Sequence, residues 1–398
     1  MPVFALVQND SSLTLWGLSS RERIRRQLRE AGGVDWLESP QNLPASGQIL
    51  LLDGNYLFEV RTLSGLLQRR DSVLVCPEDG RAAAVICDVQ RVDQARTLLQ
   101  SGADAAGEWE SVTPDDFASF DVDLRRAQAP MLKPIDADNR ARLENMLYGN
   151  AYKGITDLVT KFVWPRPARR AVQLAAAAGM TPNMVTTTGL LLVLAACWWF
   201  LQGQYLLGLA AGWLMTFLDT VDGKLARVTV RSSKFGHLFD HIIDLVHPPF
   251  WYIFWGMSLS AFVPVFGLDR VDLYSMIVVG YVAGRLAEGL FATLADCNIF
   301  SWRPFDAWFR LVTARRNPCL ILLTLSALLG RPDWGFVAVA LWTAFTSLVL
   351  LVRLLQALIA RLRGGRLQSW LSDDSVASGP HARSYRIFGR TRSAYAAE

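Results

Sequence analysis

Cysteine and histidine are scarce in this chain of 398 residues, which has five cysteines and four histidines. The cysteines lie far apart and form neither a CxxC pair nor a cluster with histidine, the patterns typical of thiolate metal sites and disulfide frameworks. We expect them to be buried small side chains in a reducing compartment. They are Cys76, Cys87, Cys197, Cys297 and Cys319.

A secretory signal is also lacking, because the first residues, MPVFALVQNDSS, contain neither a basic segment nor a long apolar segment. We therefore expect no cleavable signal peptide. The net charge of +4 is small for this length, and no nucleic-acid partner is expected. Long apolar runs are absent from residues 1–170, where charged residues are frequent, so this part resembles a soluble protein.

The composition changes between about Met184 and Leu362, where apolar segments of membrane-spanning length alternate with short polar connections. We predict that residues 183–362 form an all-α polytopic membrane domain of six transmembrane helices in the lipid bilayer. The predicted helices are 183–202, 204–222, 236–263, 272–297, 317–330 and 334–360.

Basic residues are sorted between the two sides of these helices. Arginines and lysines precede the first helix, follow the sixth, and occupy the links between the second and third and between the fourth and fifth. The opposite connections hold only Arg270 and Arg331, each beside an aspartate. The positive-inside rule predicts a multi-pass protein of the cell inner (cytoplasmic) membrane, with both termini on the cytoplasmic side.

Four aspartates lie in the stretch DTVDGKLARVTVRSSKFGHLFDHIID, which begins at Asp219 and ends at Asp244. Asp219 and Asp222 are three residues apart, and Asp240 and Asp244 are four apart, so each pair shares one helix face. Two helices joined by a short polar turn would direct all four carboxylates to one place. Because these charges need compensation in an apolar environment, we predict two divalent cations, and oxygen ligands favour Mg²⁺ or Mn²⁺.

The spacing D-x2-D-G-x2-A-R-x8-G-x3-D-x3-D resembles, at all eight positions, the signature of the CDP-alcohol phosphotransferase family. The resemblance covers roughly residues 133–360. It implies a homodimeric membrane transferase of phospholipid or related biosynthesis. Such an enzyme moves a substituted phosphoryl group from a CDP-linked donor, CDP-diacylglycerol or a CDP-polyol, to a hydroxyl group and releases CMP.

The same resemblance implies roles for individual residues. Asp219, Asp222, Asp240 and Asp244 would bind the two metal ions on the cytoplasmic side, and Asp244 would also act as general base. Residues near the donor nucleotide would be Asn183 of the string TPNMVT, Gly223, Ala226, Arg227 and Gly236. For the glycines close helix packing is an alternative, for Asn183 a simple helix start, and for Arg227 a contact that fixes the aspartates.

Other polar residues near the motif are interpreted as structural. His237, His241 and His247 flank the aspartates but are expected to play no part in metal binding. Lys224 and Lys234 are interpreted as ordinary charges of a cytoplasmic loop.

The acceptor pocket is predicted less directly. Family members that use phosphorylated acceptors gather basic side chains from the later helices, which suggests a phosphate clamp of Arg285, Arg316 and Arg353. The alternative is an ion pair between Arg285 and Glu288 together with ordinary loop charges. The acceptor is expected to be inositol phosphate or a similar polyol phosphate, with glycerol 3-phosphate as the alternative. A transporter or a non-enzymatic scaffold is a further, disfavoured alternative.

Residues 1–130 alternate apolar strands with helical stretches, which predicts a soluble α/β domain with a largely parallel sheet. This domain weakly resembles sugar-phosphate nucleotidyltransferases, as in fused inositol-phosphate cytidylyltransferase/di-inositol-phosphate phosphate synthases. Their glycine-rich, basic phosphate loop is missing, since VQNDSSLTLWG has no glycine before Gly17 and no arginine occurs before Arg21. Their metal-binding aspartate falls at Asn55, with Asp53 as an alternative. We therefore expect a non-catalytic regulatory or scaffolding domain.

Two segments flank the predicted membrane domain. Residues 131–182 are predicted to form a linker and an amphipathic juxtamembrane helix. Residues 363–398 are predicted to form a flexible cytoplasmic tail.

Overall fold

The N-terminal strands assemble into a six-stranded sheet in the computed structural model. The structure describes residues 2–101, 109–260 and 262–389, without the side chains of Ser101, Lys234 and Asp374. The strand order is β4-β1-β5-β8-β7-β9. These strands are β1 Val3–Asp10, β4 Val34–Trp36, β5 Gln48–Gly54, β7 Ser72–Val75, β8 Ala82–Asp88 and β9 Glu110–Val112. Helices α1 Ser20–Ala31, α2 Val60–Leu67 and α3 Val92–Ser101 pack on this sheet.

The sheet is mixed, which corrects the expectation of a largely parallel one. Strand β1 pairs in parallel with β4 and β5, and β7 with β9, but β8 is antiparallel to both β5 and β7. The physical reason is the short link from β7 to β8. Cys76 N–H donates to the Arg81 carbonyl oxygen at 2.9 Å, and so short a connection cannot make the crossover that a parallel pair needs.

Short ribbons complete the N-terminal domain and extend it beyond residue 130. They are β2 Thr14–Leu15 with β3 Leu18–Ser19, β6 Tyr56–Phe58 with β12 Leu132–Pro134, and β10 Phe120–Asp121 with β11 Arg126–Ala127. Since β12 pairs with β6, the domain continues to Pro134.

The described residues after Pro134 are mainly helical, so an N-terminal α/β domain followed by a helical part is confirmed. The remaining helices are α4 Arg140–Asn150, α5 Leu158–Phe162, α6 Pro165–Ala177, α7 Pro182–Leu201, α8 Tyr205–Val228, α9 Lys234–Met257, α10 Arg270–Leu294, α11 Pro304–Val312, α12 Arg316–Leu328, α13 Pro332–Leu362 and α14 Ala382–Phe388.

Six of these helices, α7 to α10, α12 and α13, lie where transmembrane helices are predicted. By length and composition, α7, α10 and α13 are the spans found within the described residues. The helix α12 is apolar but has 13 residues, and α8 and α9 contain the charged motif. The model therefore supports a helical part with three candidate spans, and the six-helix topology stays a prediction.

Two helices, α5 and α6, occupy the predicted juxtamembrane segment and precede the start of α7. There the Thr181 hydroxyl accepts from Met184 N–H at 3.3 Å, and Pro182 is the first residue of α7. This capped start agrees with the helix start expected from the sequence.

The N-terminal domain packs directly on the helical part. The Trp16 indole N–H donates to the Glu144 carbonyl oxygen at 3.0 Å, and the Trp16 ring stacks on Tyr148. In α1, Arg26 donates from Nη1 to the Thr229 carbonyl oxygen at 2.9 Å, at the end of α8. These contacts place the domain against α4 and against the turn that joins the two aspartate-bearing helices α8 and α9.

The segment after α13 is folded through residue 389, in contrast to the flexible tail expected for 363–398. Leu367, Leu371 and Phe388 are buried in a cluster shared with α10 and α11. Ala127 N–H of β11 donates to the Gly389 carbonyl oxygen at 2.8 Å. Apolar burial thus joins the tail to the N-terminal hairpin.

Replacing Gly154 by alanine is expected to destabilise this junction. A Cβ atom at Gly154 would lie 2.1 Å from the Phe388 carbonyl oxygen and 2.4 Å from that of Arg125. Overpacking costs about 1–3 kcal/mol, so the thermal unfolding midpoint in a fixed detergent should fall by a few degrees. Gly289→Ala in α10, where no atom lies within 4 Å, is the control and should leave the midpoint unchanged or raise it slightly, since alanine has the higher helix propensity. Equal midpoints for the two variants would contradict this packing.

Candidate metal and transfer site

Helices α8 and α9 approach each other through a short turn at the end of α8. Val230 adopts a left-handed conformation with φ 46°, and Ser233 caps α9 by accepting from Gly236 N–H at 2.9 Å. The turn places the last part of α8 beside the first part of α9. The carboxylates of Asp219 and Asp222 on α8 and of Asp240 on α9 thereby come together.

Three of the predicted ligands meet in this region. One carboxylate oxygen from each of Asp219, Asp222 and Asp240 lies within 4.8 Å of the others. Asp222 is buried, while Asp219 and Asp240 are partly exposed. The all-oxygen donor set fits a hard divalent cation such as Mg²⁺ or Mn²⁺. Within the described residues, no histidine or cysteine joins this group.

Asp244 is held by an arginine from a distant helix. Arg316, at the start of α12, donates from Nη1 and Nη2 to the two oxygens of Asp244 at 2.5 and 2.9 Å. The same Nη2 donates to Asp219 at 2.9 Å. Arg316 therefore links Asp244 to the group of three carboxylates. Its positive charge offsets part of the negative charge of the four aspartates.

Asp222 has a partner that the sequence analysis did not identify. The Thr186 hydroxyl of α7 donates to Asp222 Oδ2 at 2.6 Å, and both side chains are buried. Thr186 is the last residue of the string TPNMVT, which the sequence analysis singled out because of Asn183. That string was therefore the signal that could have identified Thr186. The hydrogen bond fixes the orientation of a carboxylate that we predict to bind metal.

Gly236 lies against Asn183. A Cβ atom at Gly236 would lie 2.5 Å from Asn183 Oδ1, so a larger residue here would displace the Asn183 side chain. Gly223 is less constrained, since its nearest neighbour would be the Arg227 guanidinium at 3.5 Å. Ala226 is partly buried on the same helix.

Arg227 and Lys224 contact the segment that follows α4. Arg227 donates from Nη1 to the Ala151 carbonyl oxygen at 2.9 Å. Lys224 is buried in α8, with its ammonium 3.7 Å from the centre of the Tyr152 ring, which corrects its interpretation as a loop charge. Both cations tie α8 to the juxtamembrane segment.

The three histidines lie apart from the carboxylate group. His237 and His241 are exposed on α9, with ring centres 6.3 Å apart. His247 is buried, its Nδ1 is 2.6 Å from the Ile243 carbonyl oxygen, and its ring packs against Trp251. The packing of His247 agrees with a structural role, and the expectation for His237 and His241 stays a prediction.

The three arginines of the predicted acceptor clamp lie in separate ion pairs. Arg285 donates to Glu288 at 2.5 Å, as the alternative interpretation expects. Arg316 binds the aspartates, whereas Arg353 donates to both oxygens of the buried Asp306 at 2.7 and 2.8 Å. The structure thus brings Arg316 to the site but directs Arg353 to α11. The clamp stays a prediction.

Removing the Thr186 hydroxyl is expected to weaken metal binding. Thr186→Val should lower the affinity for Mn²⁺ about tenfold, because loss of a hydrogen bond to a ligand typically costs 10–100-fold. Electron paramagnetic resonance titration of the purified protein would measure the free ion. The control is Thr188→Val, since the exposed Thr188 hydroxyl bonds only the Met184 carbonyl oxygen within its own helix. Identical Mn²⁺ affinities for wild type and Thr186→Val would rule out this role.

Comparison with known proteins relates this arrangement to a family. Residues 179–371 match the family model described as CDP-alcohol phosphatidyltransferase. The chain is also 37% identical over 118 residues to archaetidylinositol phosphate synthase of Pyrococcus horikoshii. That match covers 29% of the chain and 57% of the relative, so the chain spans little more than half of this curated relative. Residues 179–371 therefore resemble a CDP-alcohol phosphatidyltransferase domain.

Proposed function

We propose that this protein transfers a substituted phosphoryl group from a CDP-linked donor to a hydroxyl group of a polyol phosphate and releases CMP. The observation that carries the proposal is the convergence of Asp219, Asp222 and Asp240 within the part of the chain that matches the family model. The relative named archaetidylinositol phosphate synthase favours inositol phosphate as acceptor. CDP-diacylglycerol or a related CDP-linked lipid is the corresponding donor.

In this proposal the carboxylates hold two Mg²⁺ or Mn²⁺ ions. When bound, these ions would offset the charge of the donor pyrophosphate and of the departing CMP. Asp219, Asp222 and Asp240 would be ligands, with Thr186 holding Asp222 in place. Asp244 would complete the set.

Asp244 is the proposed general base. It would take the proton of the acceptor hydroxyl as the new oxygen–phosphorus bond forms and the bond from phosphorus to the CMP oxygen breaks. Both Asp244 oxygens accept hydrogen bonds from Arg316. Each carboxylate oxygen keeps a second lone pair that can take the proton, so Arg316 can stay bound and has a positioning role.

Three further features of the proposal come from the sequence pattern and the family. The protein would be a homodimer in the inner membrane, with its termini and transfer site on the cytoplasmic side. The N-terminal domain would be non-catalytic, and its likeness to nucleotidyltransferases stays a prediction.

Substitution of Asp244 by asparagine is expected to reduce CMP release by a factor of about 10²–10⁴, the usual contribution of a general base. CMP release would be measured with CDP-diacylglycerol or CDP-inositol as donor and inositol 1-phosphate, inositol or glycerol 3-phosphate as acceptor, with Mg²⁺ or Mn²⁺ present. Asp333→Asn is the matched control, since Asp333 pairs with Arg331 at the other end of the helical part. CMP release by Asp244→Asn at the wild-type rate would contradict the assignment.

Gly236→Ala is expected to raise the donor KM about tenfold, because the added Cβ would displace Asn183 from its present position. Asn183→Ala alone should have a similar effect, and the double variant should be no worse than Asn183→Ala. Such non-additivity would show that Gly236 acts through Asn183. Additive effects on the donor KM would contradict the coupling.

A further inference from the structure

The hairpin of β10 and β11 brings the N-terminal domain to the edge of the transfer site. Its loop contains Leu124 and Arg125, and Arg125 has a left-handed backbone with φ 50°. The Leu124 carbonyl oxygen accepts from Gly154 N–H at 2.7 Å. Gly154 follows Lys153 directly and, lacking a side chain, lets the hairpin loop approach the juxtamembrane segment closely.

Basic side chains from three parts of the chain gather at this point. Arg125 interacts electrostatically with Arg315 and Glu288, and Arg310 interacts with Arg125, Arg315 and Glu288. The Arg310 and Arg315 guanidinium groups lie 5.4 and 5.7 Å from the centre of the Phe300 ring.

Lys153 connects these cations to the aspartates. Its side chain is solvent-accessible and interacts electrostatically with Arg125, Arg310 and Asp219. Arg316, which binds Asp219 and Asp244, directly follows Arg315 in the chain. The basic cluster, defined as Arg125, Lys153, Arg310 and Arg315, therefore adjoins the carboxylate group on the side of α10 to α12.

The nearby carboxylates do not balance this positive charge. Arg285 belongs to the same environment, so four arginines and Lys153, whose pKa burial lowers to about 7, face Glu288, Asp157 and the exposed Asp123. Glu288 is shared between Arg285 and Arg315, and Asp157 accepts from Asn317 at 2.8 Å. Burial and the adjacent Arg315 cation lower the pKa of Arg125 to about 10, so Arg125 remains charged at neutral pH.

Several N–H groups of this cluster also lack an acceptor. Arg310 Nε and Nη1, Arg315 Nε and Arg285 Nε are buried with no hydrogen-bond partner among the described residues. Buried donors are normally satisfied, and leaving them unsatisfied is costly. An anion with several acceptor oxygens would supply both the missing charge and the missing acceptors.

We propose that Arg125, together with Lys153, Arg310 and Arg315, binds the phosphate monoester of the acceptor, so that the N-terminal hairpin forms part of the acceptor site. The proposal rests on the proposed function and adds a residue from outside the matched domain to it. The acceptor phosphate fits better than the donor pyrophosphate. Arg315 directly precedes Arg316, which holds Asp244, the proposed base for the acceptor hydroxyl.

Arg125→Gln tests this proposal in the full-length purified protein. The KM for inositol 1-phosphate should rise about 10–100-fold, the equivalent of one charge-assisted hydrogen bond, with kcat little changed. The KM for CDP-diacylglycerol should not change. Arg125→Lys should recover part of the loss, because it restores the charge without the planar donor group. As a readout independent of turnover, inorganic phosphate should protect wild type against heating more than it protects Arg125→Gln.

Arg26→Gln is the matched control, since it removes a different contact between the two parts of the chain, the hydrogen bond to the Thr229 carbonyl oxygen. It should leave the acceptor KM at the wild-type value. If Arg26→Gln raised the acceptor KM as much as Arg125→Gln does, the effect would reflect loosened packing and the proposal would be wrong. A rise in the donor KM with Arg125→Gln would assign the basic cluster to the donor, and this result would also overturn the proposal.

These results separate the two proposals. If wild type turns over and Arg125→Gln has the same acceptor KM as wild type, the role of the hairpin is rejected. The proposed function is then unaffected. No CMP release by folded wild type with any donor and acceptor would reject the proposed function. In that case, phosphate protection that depends on Arg125 would still support an anion site, and equal protection of both proteins would reject that site.

Discussion

The mutual repulsion of four aspartates in an apolar helical bundle is the constraint on which the site depends. Three carboxylates converge from α8 and α9, and a fourth is added through Arg316. Carboxylates this close are stable only if cations or hydrogen-bond donors compensate them. The surrounding structure supplies such groups from other helices, with Thr186 on α7 and Arg316 on α12. The packing of four helices is thus coupled to the charge balance of one site.

Close backbone approach is the second requirement, and glycine makes it possible at two places. Gly236 lets α9 lie against Asn183, and Gly154 lets the hairpin loop and the tail meet on the juxtamembrane segment. The N-terminal domain is therefore seated on the helical part at the level of the aspartates. Arg26 of this domain contacts Thr229 at the end of α8, and Trp16 contacts Glu144 of α4.

The arginines show how far a local sequence pattern can be interpreted. An arginine within an apolar helix indicates that a partner exists, but it does not say which residue that partner is. Arg285 pairs with Glu288 one turn away, which was the alternative interpretation of its position. Arg353 found Asp306, and Arg316 found Asp219 and Asp244, over separations of 47, 97 and 72 residues. Helix geometry relates residues three and four apart, so it cannot predict which residues these two arginines pair with.

The sequence by itself determined the division into an α/β part and a helical part, the positions of the main helices, and the aspartates that share a helix face. These features follow from local rules, since helix geometry relates residues three and four apart. Only the tertiary structure decided the antiparallel β8, the packed segment after α13, the Thr186 bond to Asp222, and the meeting of Arg125 with Arg310 and Arg315. Those contacts join residues far apart in the chain, and the packing of whole elements selects them.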